Sequence, residues 1–144
     1  MKNKFHSVLL IDDSIPINYF HKIIVEKSGV ALSCVSASNG QEALDYLQIK
    51  QDAQERFPEL IFVDINMPVM NGWEFLAQFR AKYSSIAKEV VTVMLTTSIN
   101  PDDKEKAKKL DVPNYLPKPL TVKVLEDLCD AYFKAQLLKS KAFR

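Results

Sequence analysis

Leu60-Ile61-Phe62-Val63-Asp64-Ile65 is the stretch on which the fold turns. Every position before the acid is apolar, with no alternation, and the run is too short for a typical helix. It reads as a strand covered on both faces, the kind found in parallel sheets packed between helices. Ser7 to Asp12 repeats the pattern: Val8-Leu9-Leu10-Ile11 runs into Asp12-Asp13. Working outward, Ala31 to Ala37, the β-branched Val90 to Thr97 and the short Asn114 to Leu116 supply three more strands. Helical segments fall between them. Ile15 to Ser28 carries Ile17, Phe20 and Ile24 at helical spacing and stops at Gly29, a suitable residue just past a helix end. Ser38-Asn39-Gly40-Gln41 reads as an S-x-x-Q capping box opening a helix with Ala43, Leu44 and Leu47. Gly72 to Lys82 places Trp73, Leu76 and Phe79 on one face. Asn100-Pro101-Asp102-Asp103 opens another helix with a cap, a proline at its first position and acids in its first turn; Lys106, Lys108 and Lys109 close it. Thr121 caps a last helix running to about Lys139.

Strands alternating with helices predict βαβ units with right-handed crossovers. The expected fold is an α/β doubly wound five-stranded parallel sheet of order 2-1-3-4-5, a flavodoxin-like (βα)5 three-layer sandwich. The 144 residues suit one domain, and no linker or repeat divides them, so residues 1–144 are read as one unit with a core of about 5–139. Nineteen basic against eighteen acidic residues leave a charge of +1, which argues against a nucleic-acid binder. No apolar run approaches the ~20 residues of a membrane span. The basic start Met1-Lys2-Asn3-Lys4 is followed by an apolar run that stops at Asp12-Asp13, too soon for a signal peptide; a cytoplasmic protein starting near Met1 is expected. Cys34 and Cys129 lack C-x-x-C spacing and read as packing residues. Three glycines in the whole chain exclude Gly-rich phosphate loops.

Ligands of such sheets bind beyond the carboxyl ends of the strands, where strands 1 and 3 are neighbours. Strand 1 ends in Asp12-Asp13 and strand 3 in Asp64, so three carboxylates converge across strands about 4.8 Å apart. Like charges that close oppose one another's ionisation. A hard divalent cation such as Mg²⁺, held by one or two carboxylates, waters and a phosphate, offsets the repulsion. Strand 4 ends in Thr96-Thr97-Ser98 and strand 5 in Lys118-Pro119. A lysine ammonium and a threonine hydroxyl suit phosphoryl oxygens. A carboxylate can act as nucleophile and form an aspartyl phosphate, with the protein supplying position and charge. Asp64, central among these groups, is the expected nucleophile.

Ile11-Asp12-Asp13-Ser14, Val63-Asp64-Ile65-Asn66-Met67-Pro68-Val69-Met70-Asn71-Gly72, Met94-Leu95-Thr96 and Tyr115-Leu116-Pro117-Lys118-Pro119 together resemble the four signatures of response-regulator receiver domains, in family order and over essentially the whole chain. The resemblance implies that Asp64 accepts the phosphoryl group from a histidine kinase or histidine phosphotransfer protein. It implies Mg²⁺ on the side chains of Asp13 and Asp64 and the backbone carbonyl of Asn66, with Asp12 at or just outside the metal shell. Thr96 and Lys118 would hold the phosphoryl oxygens, Tyr115 would be the aromatic that turns inward, and the Lys118-Pro119 bond would be cis. Asn66 and Ser98 match positions that tune phosphoryl lifetime.

The chain departs from the pattern at Thr97, where a smaller residue is usual, and at Asp111-Val112-Pro113-Asn114, where Gly-Ala often precedes the aromatic. Gln48 to Pro58 is polar and longer than usual, and is read as an extended helix and solvated loop. His6 and His21 are read as surface or edge residues, and Trp73, Phe75, Phe79 and Tyr83 as packing. Lys134, Lys139, Lys141 and Arg144 are read as a solvated face. The expectation is a phosphorylation-dependent signalling switch rather than an enzyme. It would be a monomer or weak homodimer with no output domain, and would signal to a separate protein through the fourth predicted helix, strand 5 and the fifth helix. The rival reading is a receiver-like binding module that works without phosphorylation. An aspartyl-phosphate phosphatase would want an acid at Asn66, and an FMN-binding flavodoxin would not place Asp12-Asp13 against a phosphate.

Overall fold

The computed structural model describes residues 3–142 other than 98, 99 and 113. The readings made of Ser98, Pro113 and Arg144 lie outside the described residues. The elements run β1 (Phe5–Ile11), α1 (Ile15–Ser28), β2 (Ala31–Ala37), α2 (Gly40–Asp52), β3 (Leu60–Asp64), α3 (Gly72–Lys82), α4 (Ser84–Ala87), β4 (Val91–Thr96), α5 (Pro101–Lys109), β5 (Asn114–Pro117) and α6 (Val122–Ala142). The five strands are parallel in the order β2-β1-β3-β4-β5. This is the predicted sheet. The short α4 was not anticipated, so the fourth and fifth predicted helices are α5 and α6.

Alternate residues of the central strands feed two cores. Leu9, Ile11, Ile61, Val63 and Met94 pack under α2, α3 and α5. Val8, Leu10, Phe62, Val93 and Leu95 pack under α1 and α6. All five residues of β3 are buried, which is why its apolar run does not alternate. Register then sets the site. Ile11 pairs with Val63, Asp64 with Leu95 and Thr96 with Pro117, so Asp12, Asp64, Thr96 and Lys118 all reach the same carboxyl edge.

The structure corrects two helix readings. In α1 the buried residues are Asn18, His21 and Val25, while Phe20 is 45% exposed. The buried face is turned by one residue from the Ile17, Phe20 and Ile24 stripe, because α1 packs where Asp12 and the turn after Lys118 offer polar groups to satisfy. In α2 the cap is Asn39, not Ser38: Asn39 is extended and its side chain accepts from the Glu42 backbone N–H, while the Ser38 hydroxyl donates to the Glu42 carboxylate at 2.7 Å. The cap therefore sits one residue further on, with Glu42 rather than Gln41 at its third position. The other caps fall as read. Gly29 takes a left-handed conformation at φ 69° beyond α1, Asn100 caps α5, and the Thr121 hydroxyl accepts from the Val124 N–H. Asn71 and Glu74 form a reciprocal capping box at α3 that was not singled out.

The Gln48–Pro58 stretch extends α2 to Asp52 and then leaves a largely exposed loop, anchored where Phe57 meets Tyr83 edge-on at 5.0 Å. Trp73, Phe75, Phe79 and Tyr83 are buried packing residues. Cys129 is buried and Cys34 half-buried, and neither forms a disulfide. Lys134, Lys139 and Lys141 are exposed, with Lys139 3.8 Å from Glu89. No helix among the described residues is long and apolar enough to cross a membrane.

The start of α3 lies unusually close to the carboxyl end of β3. A Cβ at Gly72 would stand 2.5 Å from the Asp64 carbonyl oxygen and 3.0 Å from the Ile65 Cα. At Gly40 it would meet only the Met70 side chain, whose thioether can move. Gly72→Ala should therefore cost about 1–3 kcal/mol through overpacking, and Gly40→Ala less. Thermal denaturation of both variants checks this; equal melting temperatures would show that the β3–α3 approach is not rigid.

Candidate functional site

Asp64 and Thr96 are the last residues of their strands, Asp12 and Lys118 sit one residue past theirs, and Asp13 sits two past. Asp12 follows β1 and is 3% exposed; its Oδ1 accepts the Ser14 N–H at 2.9 Å. Asp13, next in sequence, is exposed. Asp64 ends β3 and is 6% exposed. One carboxylate oxygen from each of the three lies within 4.8 Å of the others. Thr96 ends β4 and is buried. Lys118 follows β5, its backbone N–H donating to the Thr96 carbonyl at 2.7 Å, and the Lys118-Pro119 bond is cis, as the resemblance implied.

The Lys118 ammonium lies between the acids, 2.5 Å from Asp12 Oδ2 and 3.2 Å from Asp64 Oδ1, with all three side chains largely buried. Burial alone would lower the lysine pKa; the hydrogen bond and charge of Asp12, joined by Asp64, hold it above its ordinary value. Asp64 moves the same way for a different reason. Its burial and then the charge of Asp12 push its carboxyl up, while Lys118 and a hydrogen bond from the Asn66 backbone N–H pull back. The three oxygens form a donor set suited to a hard cation, since Mg²⁺ takes carboxylate and water oxygens. Asp13, exposed and unclaimed by Lys118, is the open side of that set.

Two further groups brace the site from α1. The Asn18 amide donates to the Asp12 carbonyl at 2.9 Å and to the Ala37 carbonyl at 3.1 Å. His21 was read as a surface or edge residue. It is instead 2% exposed, and its Nε2 accepts the Leu120 backbone N–H at 3.2 Å. Its pKa is lowered, chiefly by burial, which keeps the imidazole neutral and able to accept. Neither residue stands out in the sequence except as a polar residue one step off an apolar stripe.

Tyr115, on β5, is half-buried, and its hydroxyl accepts the Asn100 backbone N–H at 3.3 Å, reaching the cap of α5. Thr97 is exposed, and so is Asn66. Between Asn66 and Gly72 the chain folds tightly: the Met70 N–H donates to the Pro68 carbonyl and the Gly72 N–H to the Ile65 carbonyl. Val69 is fully exposed at φ 68°, a region β-branched residues rarely occupy.

Residues 8–130 match the family described as response regulator receiver domain. The two component response regulator of Cytophaga hutchinsonii has the same fold with a TM-score of 0.85 at 32% identity, covering 92% of this chain and 99% of that one. Chemotaxis protein CheY4 of Vibrio cholerae gives a TM-score of 0.72 at 31% identity, covering 88% and 98%. Chemotaxis protein CheY1 of Helicobacter pylori is 30% identical over 120 residues, which are 83% of this chain and 90% of that protein.

The raised pKa of Asp64 has a consequence for stability in metal-free buffer. The folded chain binds this proton more tightly than the unfolded chain, so ionised Asp64 lowers stability at neutral pH. That loss is recovered as pH falls through the raised value toward the ordinary 3.8. Asp64→Asn should therefore melt at a higher temperature than the parent at pH 7 in a chelator, and the gap should narrow on acidification. A parent more stable than the variant at pH 7 would refute this account of the site.

Proposed function

The chain belongs to the response regulator receiver domain family of two-component signalling, CheY-like in fold, and on that premise we propose that it is a switch charged by a phosphoryl group on Asp64. The observation that carries the reading is the cluster itself: three carboxylates with oxygens within 4.8 Å and one ammonium lodged between two of them. Receiver domains bind Mg²⁺ at such an acidic pocket. Here Asp13 and Asp64, with the Asn66 carbonyl, would hold it, and Asp12 would stand at or beside its shell. When bound, the ion would supply charge neutralisation to the phosphoryl oxygens.

A histidine kinase or histidine phosphotransfer protein is the proposed donor. The Asp64 carboxylate attacks phosphorus, the P–N bond to the histidine breaks and a P–O bond forms. The histidine nitrogen leaves with the electron pair and takes up a proton. Water later attacks phosphorus, the P–O bond to Asp64 breaks, and inorganic phosphate leaves as the carboxylate is restored. Lys118 and the Asn66 N–H support the reading, because both favour the ionised carboxylate that the attack requires. The chemistry is confined to the chain's own phosphorylation and slow dephosphorylation, so the protein is a signalling element and not a metabolic enzyme. We place it in the cytoplasm, where such donors act.

The output runs through Thr96 and Tyr115. Drawing the Thr96 hydroxyl toward the phosphoryl group frees space beside β5, and Tyr115 turns into it. Its hydroxyl then leaves the Asn100 N–H, and the cap of α5 loses a partner that it has in the present state. The α5, β5 and α6 face presented to a partner protein changes with it, a two-state element biased by a local charge.

Incubation with acetyl phosphate and Mg²⁺, followed by intact-mass spectrometry, should give a single phosphoryl adduct. Chelator or Asp64→Asn should abolish it. Absence of an adduct from acetyl phosphate and from several phosphohistidine donors would favour the phosphorylation-independent binding module instead.

A further inference from the structure

The face of α1 that meets the sheet is polar where packing alone would make it apolar. Asn18 and His21 lie three residues apart, side by side on that face, and are 7% and 2% exposed. Burying such groups is unfavourable unless they are hydrogen-bonded. Their bonds go to two particular places. Both amide hydrogens of Asn18 are committed, to the Asp12 and Ala37 carbonyls. This fixes which way the amide points, and its Oδ1 is left buried without a partner among the described residues. His21 accepts from Leu120, two residues beyond Lys118. One helix face therefore grips the loop that carries the acids and the turn that delivers the ammonium between them.

We propose that Asn18 and His21 are positioning residues that set the separation of the Asp12-Asp13 loop from the Lys118 turn, and through it the affinity of the acid cluster for a divalent cation. This rests on the reading of the acid cluster as a Mg²⁺ site. Lys118 already holds Asp12 and Asp64 at 2.5 and 3.2 Å, and those two carboxylates belong to the set that a cation would draw on, so each positive charge opposes the other. Removing the Asn18 donors loosens the acid loop and weakens cation binding. Removing the His21 acceptor loosens the lysine turn, withdraws the competing ammonium and strengthens cation binding. A purely structural role would make both substitutions act in the same direction.

The test measures Mn²⁺ binding to the full chain by the loss of the free-ion electron paramagnetic signal. It adds the acetylation rate of Lys118 by acetic anhydride in chelator, mapped by mass spectrometry. Asn18→Leu should weaken Mn²⁺ binding about tenfold, the low end of what outer-shell substitutions cost. His21→Met should tighten it and speed Lys118 acetylation. His21→Gln, whose amide oxygen can accept from Leu120, should restore both wild-type values. If Asn18→Leu does not fold by circular dichroism, Asn18→Ser, which keeps one donor, should weaken Mn²⁺ binding to a smaller extent. Shifts of the same sign for both positions, no shift at either, or a His21→Gln protein that behaves like His21→Met would overturn the proposal. A wild-type chain that takes up no Mn²⁺ would instead sink the metal reading. The bracket would then stand or fall on Lys118 acetylation, supported by a rate raised in His21→Met alone and overturned by equal rates.

Discussion

One ammonium between two buried carboxylates is the interaction on which the rest depends. Two unit charges ~4 Å apart at an effective dielectric of ~20 interact by about 4 kcal/mol, so the charge of Asp12 adds to burial in opposing the ionisation of Asp64. Lys118 offsets that repulsion from 2.5 and 3.2 Å. A buried ion pair is seldom a net source of stability. Its effect here is to make an acid cluster tolerable at the edge of a packed sheet. The fold has its own internal counter-charge.

The parallel sheet makes this geometry available. Because β1 and β3 are neighbours, two acids far apart in the chain end on adjacent strands. Because Thr96 pairs with Pro117, the hydroxyl and the lysine reach the same edge. The register is set by continuous apolar runs, and a slip of one residue would exchange the two cores as well as dismantle the site.

Those runs are what the sequence displays most openly, and so the sheet, its order and the edge carrying Asp12, Asp13, Asp64, Thr96 and Lys118 were legible. Caps written in short-range signals, such as Asn100-Pro101 and Gly29, were legible too. The α2 cap was misplaced because Ser38 and Asn39 are both good capping residues, and only the extended backbone at Asn39 decides between them. The face of α1 was hidden for a deeper reason. Periodicity assumes that what is buried is apolar, and here a helix is buried against backbone carbonyls and a backbone N–H that need polar partners. No local pattern announces a partner about 100 residues away. Lys118 was read into the same cleft as the acids, and its contacts with Asp12 and Asp64 lie there.

The division of the interior into two clusters has a consequence of its own. The bracing helix α1 and the long α6 belong to one cluster, while Tyr115 and the helix it touches, α5, belong to the other. Between them stand strands buried on both sides, so a change packed into one cluster meets the other only through the sheet backbone and the residues at its carboxyl edge. The α6 side of the α5–β5–α6 face shares its interior with the bracing helix α1 and the α5 side does not, so a substitution beneath α5 is the one more remote from the bracket.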